Sequence, residues 1–228
     1  LVSKVCNVRM VPIATEIITR ELTGKESPVP ALEEKVIPYY GVKEAAFPFN
    51  MFPEVDPLLG PEMRSTGEVL GLSESYGEAF YKAQEAVQSK LPLSGTVLIS
   101  VNRKDKAEVV EVAKLFHENN FRIIATEGTC QLINEAGIPA EKVKKLCEGR
   151  PNVLDEITNG KVDIIVNSPV GKDSVYDDSY LRKAAIKGRI PYCTTMAAAM
   201  AAATGIHAVN NHDGGKIASL QELHGRIK

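Results

Sequence analysis

From Ser94 onward, short apolar runs alternate with amphipathic segments of helical period, and this alternation constrains the fold more than any other feature. The runs predict strands at Thr96–Val101, Arg122–Ala125, Asp163–Asn167 and Pro191–Cys193, with a last short strand at Ala208–Val209. Helices are expected at Lys106–Asn119, Thr129–Ala136, Val153–Asn159, Ser179–Lys187 and Thr195–Ala203. A closing helix, Ser219–Ile227, carries a capping box made by Ser219 and Glu222. Strands that are apolar throughout are buried on both faces, and helical connections return each strand in the same direction. The expectation for residues 91–228 is a doubly wound parallel α/β sheet flanked by helices.

Residues 1–90 read differently. Pro28, Pro30, Pro38, Pro48, Pro53, Pro57 and Pro61 are interleaved with Tyr39, Tyr40, Phe47, Phe49 and Phe52. Proline fixes its own dihedral and lacks a donor, so this density predicts loops and edge strands rather than long elements. Two helices are expected: Pro12–Leu22, with Ile13, Ile17 and Ile18 on one stripe and Gly24 as the stop, and Ser75–Val87, with Ala79, Phe80, Ala83 and Ala86 inward. A strand is expected at Val42–Phe47. This is an irregular, proline-rich α+β unit.

The 228 residues carry a net charge of −2, which calls for neither nucleic acid nor an anionic membrane surface. No apolar run approaches the roughly 20 residues of a membrane span, and no signal segment opens the chain. Leu1 in place of methionine, leading straight into a structured run, is expected of a piece cut from a longer protein. Cys6, Cys130, Cys147 and Cys193 lack metal-ligand or disulfide spacing and are expected as free thiols in a reducing, cytoplasmic compartment. His117, His207, His212 and His224 likewise lack ligand spacing, so no metal site is expected.

In an open parallel sheet the ligand lies beyond the carboxyl ends of the strands, where helix N-termini present unpaired N–H groups to anions. The residues there share one chemistry. Ser100 to Lys106 follow the first strand, Thr126-Glu127-Gly128-Thr129 the second, Asn167-Ser168-Pro169-Val170-Gly171-Lys172 the third, and Tyr192-Cys193-Thr194-Thr195 the fourth. Hydroxyls, amides and lysines recur, the donor set of a phosphate or carboxylate pocket. Singly, Thr126 and Thr129 read equally well as capping residues, and Lys106 and Lys145 as solvated lysines. The pocket is argued from their convergence.

Pro48-Phe49-Asn50-Met51-Phe52-Pro53, followed by Asp56-Pro57-Leu58-Leu59-Gly60-Pro61-Glu62-Met63-Arg64-Ser65-Thr66-Gly67-Glu68-Val69, resembles the closing segment of the second ATP-grasp domain in carbamoyl-phosphate synthase large chains. Residues 91–228 resemble the methylglyoxal-synthase-like domain that ends those chains, and residues 1–90 a remnant of the ATP-grasp domain. The resemblance implies an allosteric segment that binds UMP as inhibitor or IMP as activator. It assigns Ser100, Lys106, Thr126, Thr129, Lys145, Asn167 and Ser168 to the nucleotide, and Glu44, Tyr192 and Thr194 to ornithine at the domain interface. Lysine at 145 favours a nucleotide phosphate, because relatives activated by N-acetylglutamate have an aromatic residue around that position. Pro169 replaces a hydroxyl and Asn102 a basic residue of bacterial relatives, which alters the donor set.

The resemblance also implies partners and chemistry outside this segment. The full enzyme is an ATP-dependent ligase of pyrimidine and arginine biosynthesis that uses ATP, Mg and bicarbonate, and works with a glutaminase small chain. The segment itself is expected to need no cofactor, to contribute no catalytic residue, and to serve as a homo-oligomer contact. A stand-alone methylglyoxal synthase is the alternative. It requires a carboxylate base, and near the corresponding loop the chain reads Gly149-Arg150-Pro151-Asn152, with Asp155 expected on the following helix.

Overall fold

A computed structural model describes residues 1–24, 33–47, 49–51, 65, 67–168, 175–211 and 217–228. Most of the family-like stretch from 48 to 66 and the loop 169–174, with Pro169, Gly171 and Lys172, lie outside the described residues, as does His212.

The N-terminal part begins with helices α1 (Val2–Cys6) and α2 (Met10–Thr23). Gly24 ends α2 in the left-handed region, at φ 65°, a conformation that glycine adopts without a Cβ penalty. None of the α2 residues is buried: of its isoleucine stripe, Ile17 and Ile18 are exposed, Ile18 at 56%, and Ile13 is half-buried. Strands β1 (Tyr40–Ala46) and β2 (Gly67–Ser73) then pair antiparallel, Tyr40 opposite Ser73 and Ala46 opposite Gly67. β2 was not expected: with three residues of glycine or serine in seven, it lacks the apolar run that announces a strand. Helix α3 (Tyr76–Ala86) is capped by Ser75, whose hydroxyl accepts from the Glu78 N–H at 3.2 Å. It buries Ala79 and Ala83 as expected, but Tyr81 takes the inward place assigned to Ala86, which is exposed.

The C-terminal part follows as β3 (Gly95–Ser100), α4 (Lys106–Glu118), β4 (Phe121–Thr126), α5 (Glu127–Glu135), β5 (Ala140–Val143), α6 (Val153–Thr158), β6 (Ile164–Asn167), α7 (Val175–Gly188), β7 (Tyr192–Cys193) and α8 (Met196–Asn211). All five strands are parallel, in the order β5-β4-β3-β6-β7. This is the expected doubly wound sheet, its order reversing between β3 and β6. Alternate residues face opposite sides, as the two-residue period of a strand requires. Val97, Ile99, Ile123, Ala125, Ile164 and Val166 pack under α4, α5 and α8. Leu98, Ile124 and Ile165 pack under α6 and α7.

Two differences from expectation concern single elements. Ala208 and Val209 lie inside α8, because the alanine-rich run from Met196 carries the helix on to Asn211, across Gly205. β5 is an extra edge strand, Ala-Glu-Lys-Val, whose charges hide it from an apolar-run reading. A short last helix, α9 (Leu220–His224), has the expected capping box, and the chain end turns back onto the N-terminal part. The Val36 N–H donates to the Lys228 carbonyl at 2.9 Å, and Arg226 pairs with Glu74.

Two glycines set the closest helix packing. A Cβ on Gly77 of α3 would stand 2.7 Å from the Thr204 carbonyl of α8, and one on Gly205 would stand 3.0 Å from the Gly77 carbonyl. The helices therefore cross backbone to backbone. Among the described residues, no helix is long and apolar enough to cross a membrane.

Candidate functional site

The reversal of strand order places Ser100 beside Asn167 at the carboxyl ends of β3 and β6. Here Ser168, 2% exposed, fastens the neighbouring loop: its N–H donates to the Ser100 carbonyl at 3.1 Å, and its hydroxyl accepts from the Asn102 N–H at 2.9 Å. Asn102 in turn accepts from the Lys104 N–H at 2.7 Å and donates to Asp105 at 2.7 Å. These bonds fix the approach to α4 and set Lys106 as its first residue.

Lys106 spans two elements. Its Nζ donates to the Gly128 carbonyl in the first turn of α5 at 3.1 Å. A Cβ on Gly128 would lie 2.9 Å from that Nζ, so glycine makes room for the ammonium. Thr126, the last residue of β4, is the N-cap position of α5, yet its side chain does not cap the helix. Its hydroxyl lies 3.4 Å from that of Ser100, a long contact. Thr129, 2% exposed, sits in the first turn, and its hydroxyl makes no hydrogen bond among the described residues. α5 therefore opens with N–H groups that its own N-cap side chain leaves free.

Lys145 lies two residues beyond β5, whose Val143 is paired with Thr126, so it stands at the same edge of the sheet. It is exposed, and its ammonium has no ion pair among the described residues. Ser100, Lys106, Thr126, Thr129 and Lys145 thus share the β3-β4-β5 end of the carboxyl edge.

Asn167 lies across the reversal. Its amide donates to Asp178 at 2.9 Å and to the Tyr192 hydroxyl at 2.6 Å. Asp178, 6% exposed at the start of α7, is a carboxylate that sequence reasoning missed. The only signal was an acid pair, Asp177-Asp178, after the third strand's loop, which reads as helix N-terminal decoration. Of the three residues assigned to an ammonium ligand, Tyr192 is drawn to Asn167 and Thr194 is exposed past β7. Glu44 accepts from Gln84 of α3 at 2.9 Å, and burial raises its carboxyl above the ordinary value. Their described hydrogen bonds attach these residues to different neighbours.

The β3-β4-β5 end of the edge presents hydroxyls, amides and ammoniums, a set suited to holding an oxyanion, while the carboxylate across the reversal, Asp178, is bonded to Asn167. Asp155 lies on α6, held by Arg150 and by the Asn152 N–H at 2.9 Å, and both interactions lower its carboxyl below the ordinary range. Among the described residues, no group of three His, Cys, Asp or Glu could hold a metal ion.

Residues 108–194 match the MGS-like domain family. The chain is 45% identical to the carbamoyl phosphate synthase large chain of Gemmatimonas aurantiaca, over 98% of this chain and 20% of that one. It is 43% identical to the "Carbamoyl phosphate synthase large chain, C-terminal section" of Methanocaldococcus jannaschii, over 100% of this chain and 38% of the relative. Among solved structures, a methylglyoxal synthase from Elizabethkingia anophelis aligns at 18% identity and TM-score 0.39, covering 47% of this chain and 75% of that one. The chain spans a fifth of the length of the full-length relative and less than two fifths of the C-terminal section.

Proposed function

Because the chain carries an MGS-like domain and resembles the C-terminal part of carbamoyl phosphate synthase large chains, we propose that it is the regulatory segment of such a chain, binding a nucleoside monophosphate of the UMP or IMP type. The observation that carries this reading is the first turn of α5: N–H groups uncapped by Thr126, a Thr129 hydroxyl with no hydrogen bond among the described residues, and the Lys106 ammonium held across Gly128. A dianionic phosphate satisfies all three at once, by the rule that anions bind where a helix begins. Lys145 adds a second cation, and Asn167 with Asp178 is left for sugar or base. Ornithine is the proposed second effector, near Glu44, Tyr192 and Thr194.

In this reading residues 91–228 form the effector domain and residues 1–90 belong to an ATP-grasp domain. The outward apolar stripe of α2 suits packing against further chain. Ligase chemistry with ATP, Mg and bicarbonate then belongs to the rest of the large chain, partnered by the glutaminase small chain, in the cytoplasm. An effector shifts an enzyme only through differential affinity for two of its states. The route suggested here is α8, which starts beside Thr194 and crosses α3 at Gly77 and Gly205; α3 in turn holds Glu44 through Gln84.

Calorimetry with UMP, IMP, ornithine and N-acetylglutamate, on the chain and on Thr126→Ala, tests the reading. A nucleotide should bind, and Thr126→Ala should weaken it by about tenfold, the scale of one charge-assisted hydrogen bond. Nucleotide affinity unchanged in Thr126→Ala counts against the pocket.

A further inference from the structure

Within the turn that would hold the phosphate, Thr126-Glu127-Gly128-Thr129, stands one acid. Glu127 is the first residue of α5, where a carboxylate is attracted to the same free N–H groups and positive helix end that an incoming anion needs. A carboxylate folded back there is an internal competitor, and its charge repels a dianion. In the structure it is turned away: the Glu127 carboxylate pairs with the Lys142 ammonium on the adjacent edge strand β5. The sheet register accounts for the reach. Lys142 is paired with Ala125, two residues before Glu127, and Val143 with Thr126. The N-cap side chain leaves the helix start free as well, so both nearby side-chain acceptors stay off the N–H groups.

We propose, on the anion reading of this edge given above, that Lys142 is a positioning residue which keeps the mouth of α5 open by holding Glu127 aside, so that anion affinity depends on Lys142 only while Glu127 is an acid. The alternative role for a lysine so close to the site is direct attraction of the ligand, and the two are separable. If Lys142 acts through Glu127, its removal does nothing once Glu127 is neutral. If it attracts the anion itself, its removal costs the same in either background.

The experiment is a double-mutant cycle by calorimetry on the full chain, with UMP, IMP and inorganic phosphate as probes. Lys142→Gln should weaken binding by about three- to tenfold, the range for one charge rearranged near a solvent-exposed anion. Glu127→Gln should bind as well as wild type or better, and Lys142→Gln/Glu127→Gln should match Glu127→Gln within about twofold, a smaller change than the lysine effect itself. Lys142→Arg should restore wild-type affinity, since it keeps the partner for Glu127. Both side chains are more than half exposed, so thermal melts of the variants should overlay and serve as the folding control. Unchanged affinity in Lys142→Gln overturns the proposal, and so does a double mutant weakened by the same factor as Lys142→Gln. If wild type binds none of the three probes, the phosphate reading fails first, and the role of Lys142 falls with it.

Discussion

Gly128→Ala should make the protein slightly more stable and its ligand site markedly worse, a pairing of signs that few substitutions give. The new methyl would stand 2.9 Å from the Lys106 ammonium, whereas an unstrained contact lies at about 3.5–4.0 Å. The lysine tip must therefore retreat by roughly 0.6–1.1 Å, a cheap movement for a flexible side chain but enough to break its 3.1 Å bond to the Gly128 carbonyl. The carbonyl is exposed to water, so that loss costs only about 0.5 kcal/mol. Against it, alanine in place of glycine in a helix gains up to about 1 kcal/mol. The net is a gain of about 0.5 kcal/mol, a rise in Tm of about 1–2 °C for a chain of this size. Affinity moves the other way, because the ammonium leaves the position beside the free N–H groups: about tenfold weaker nucleotide binding, or 1.4 kcal/mol. Differential scanning calorimetry and titration calorimetry on the same preparation give both numbers. Unchanged affinity would mean Lys106 is not part of the cradle. A stability loss above about 1 kcal/mol would mean the first turn of α5 is packed more tightly than the contact distances imply.

Gly71→Ala has no flexible neighbour to absorb it. Its Cβ would meet the Ala79 carbonyl of α3 at 2.0 Å and the Ala83 nitrogen at 2.7 Å, so the β1-β2 pair must separate from α3. A loss of about 3 kcal/mol or more is expected in urea unfolding, and a loss under about 1 kcal/mol would contradict the packing described. Glu44 is an acid whose folded carboxyl is raised by burial, so its contribution is fully present below the ordinary value of 4.5 and is lost as pH rises through the raised value. Glu44→Gln keeps an acceptor for Gln84, and its urea midpoint should fall less than that of wild type between pH 4.5 and 7; parallel midpoints would show that Glu44 is not the group responsible.

Periodicity in the chain was enough to give the parallel sheet, because Val97 to Ile99, Ile123 to Ala125 and Ile164 to Val166 are apolar on both faces and can only be central strands. The same logic placed Ser100, Thr126 and Asn167 at one edge, since residues ending parallel strands share an edge by construction. Elements whose stability comes from neighbours rather than from their own residues stayed hidden. β2 stands on its pairing with β1 and on Gly71, which admits α3, β5 on its hydrogen bonds to β4, and the end of α8 on a helix continuing past residues that also suit a strand. Side-chain partnerships across the fold were out of reach for the same reason. That Lys106 crosses to Gly128, that Asn167 meets Asp178 and Tyr192, and that Glu127 turns to Lys142 each depend on distances between segments 11 to 25 residues apart. A residue's period records which face it occupies; which atom it touches is set by how the helices settle on the sheet.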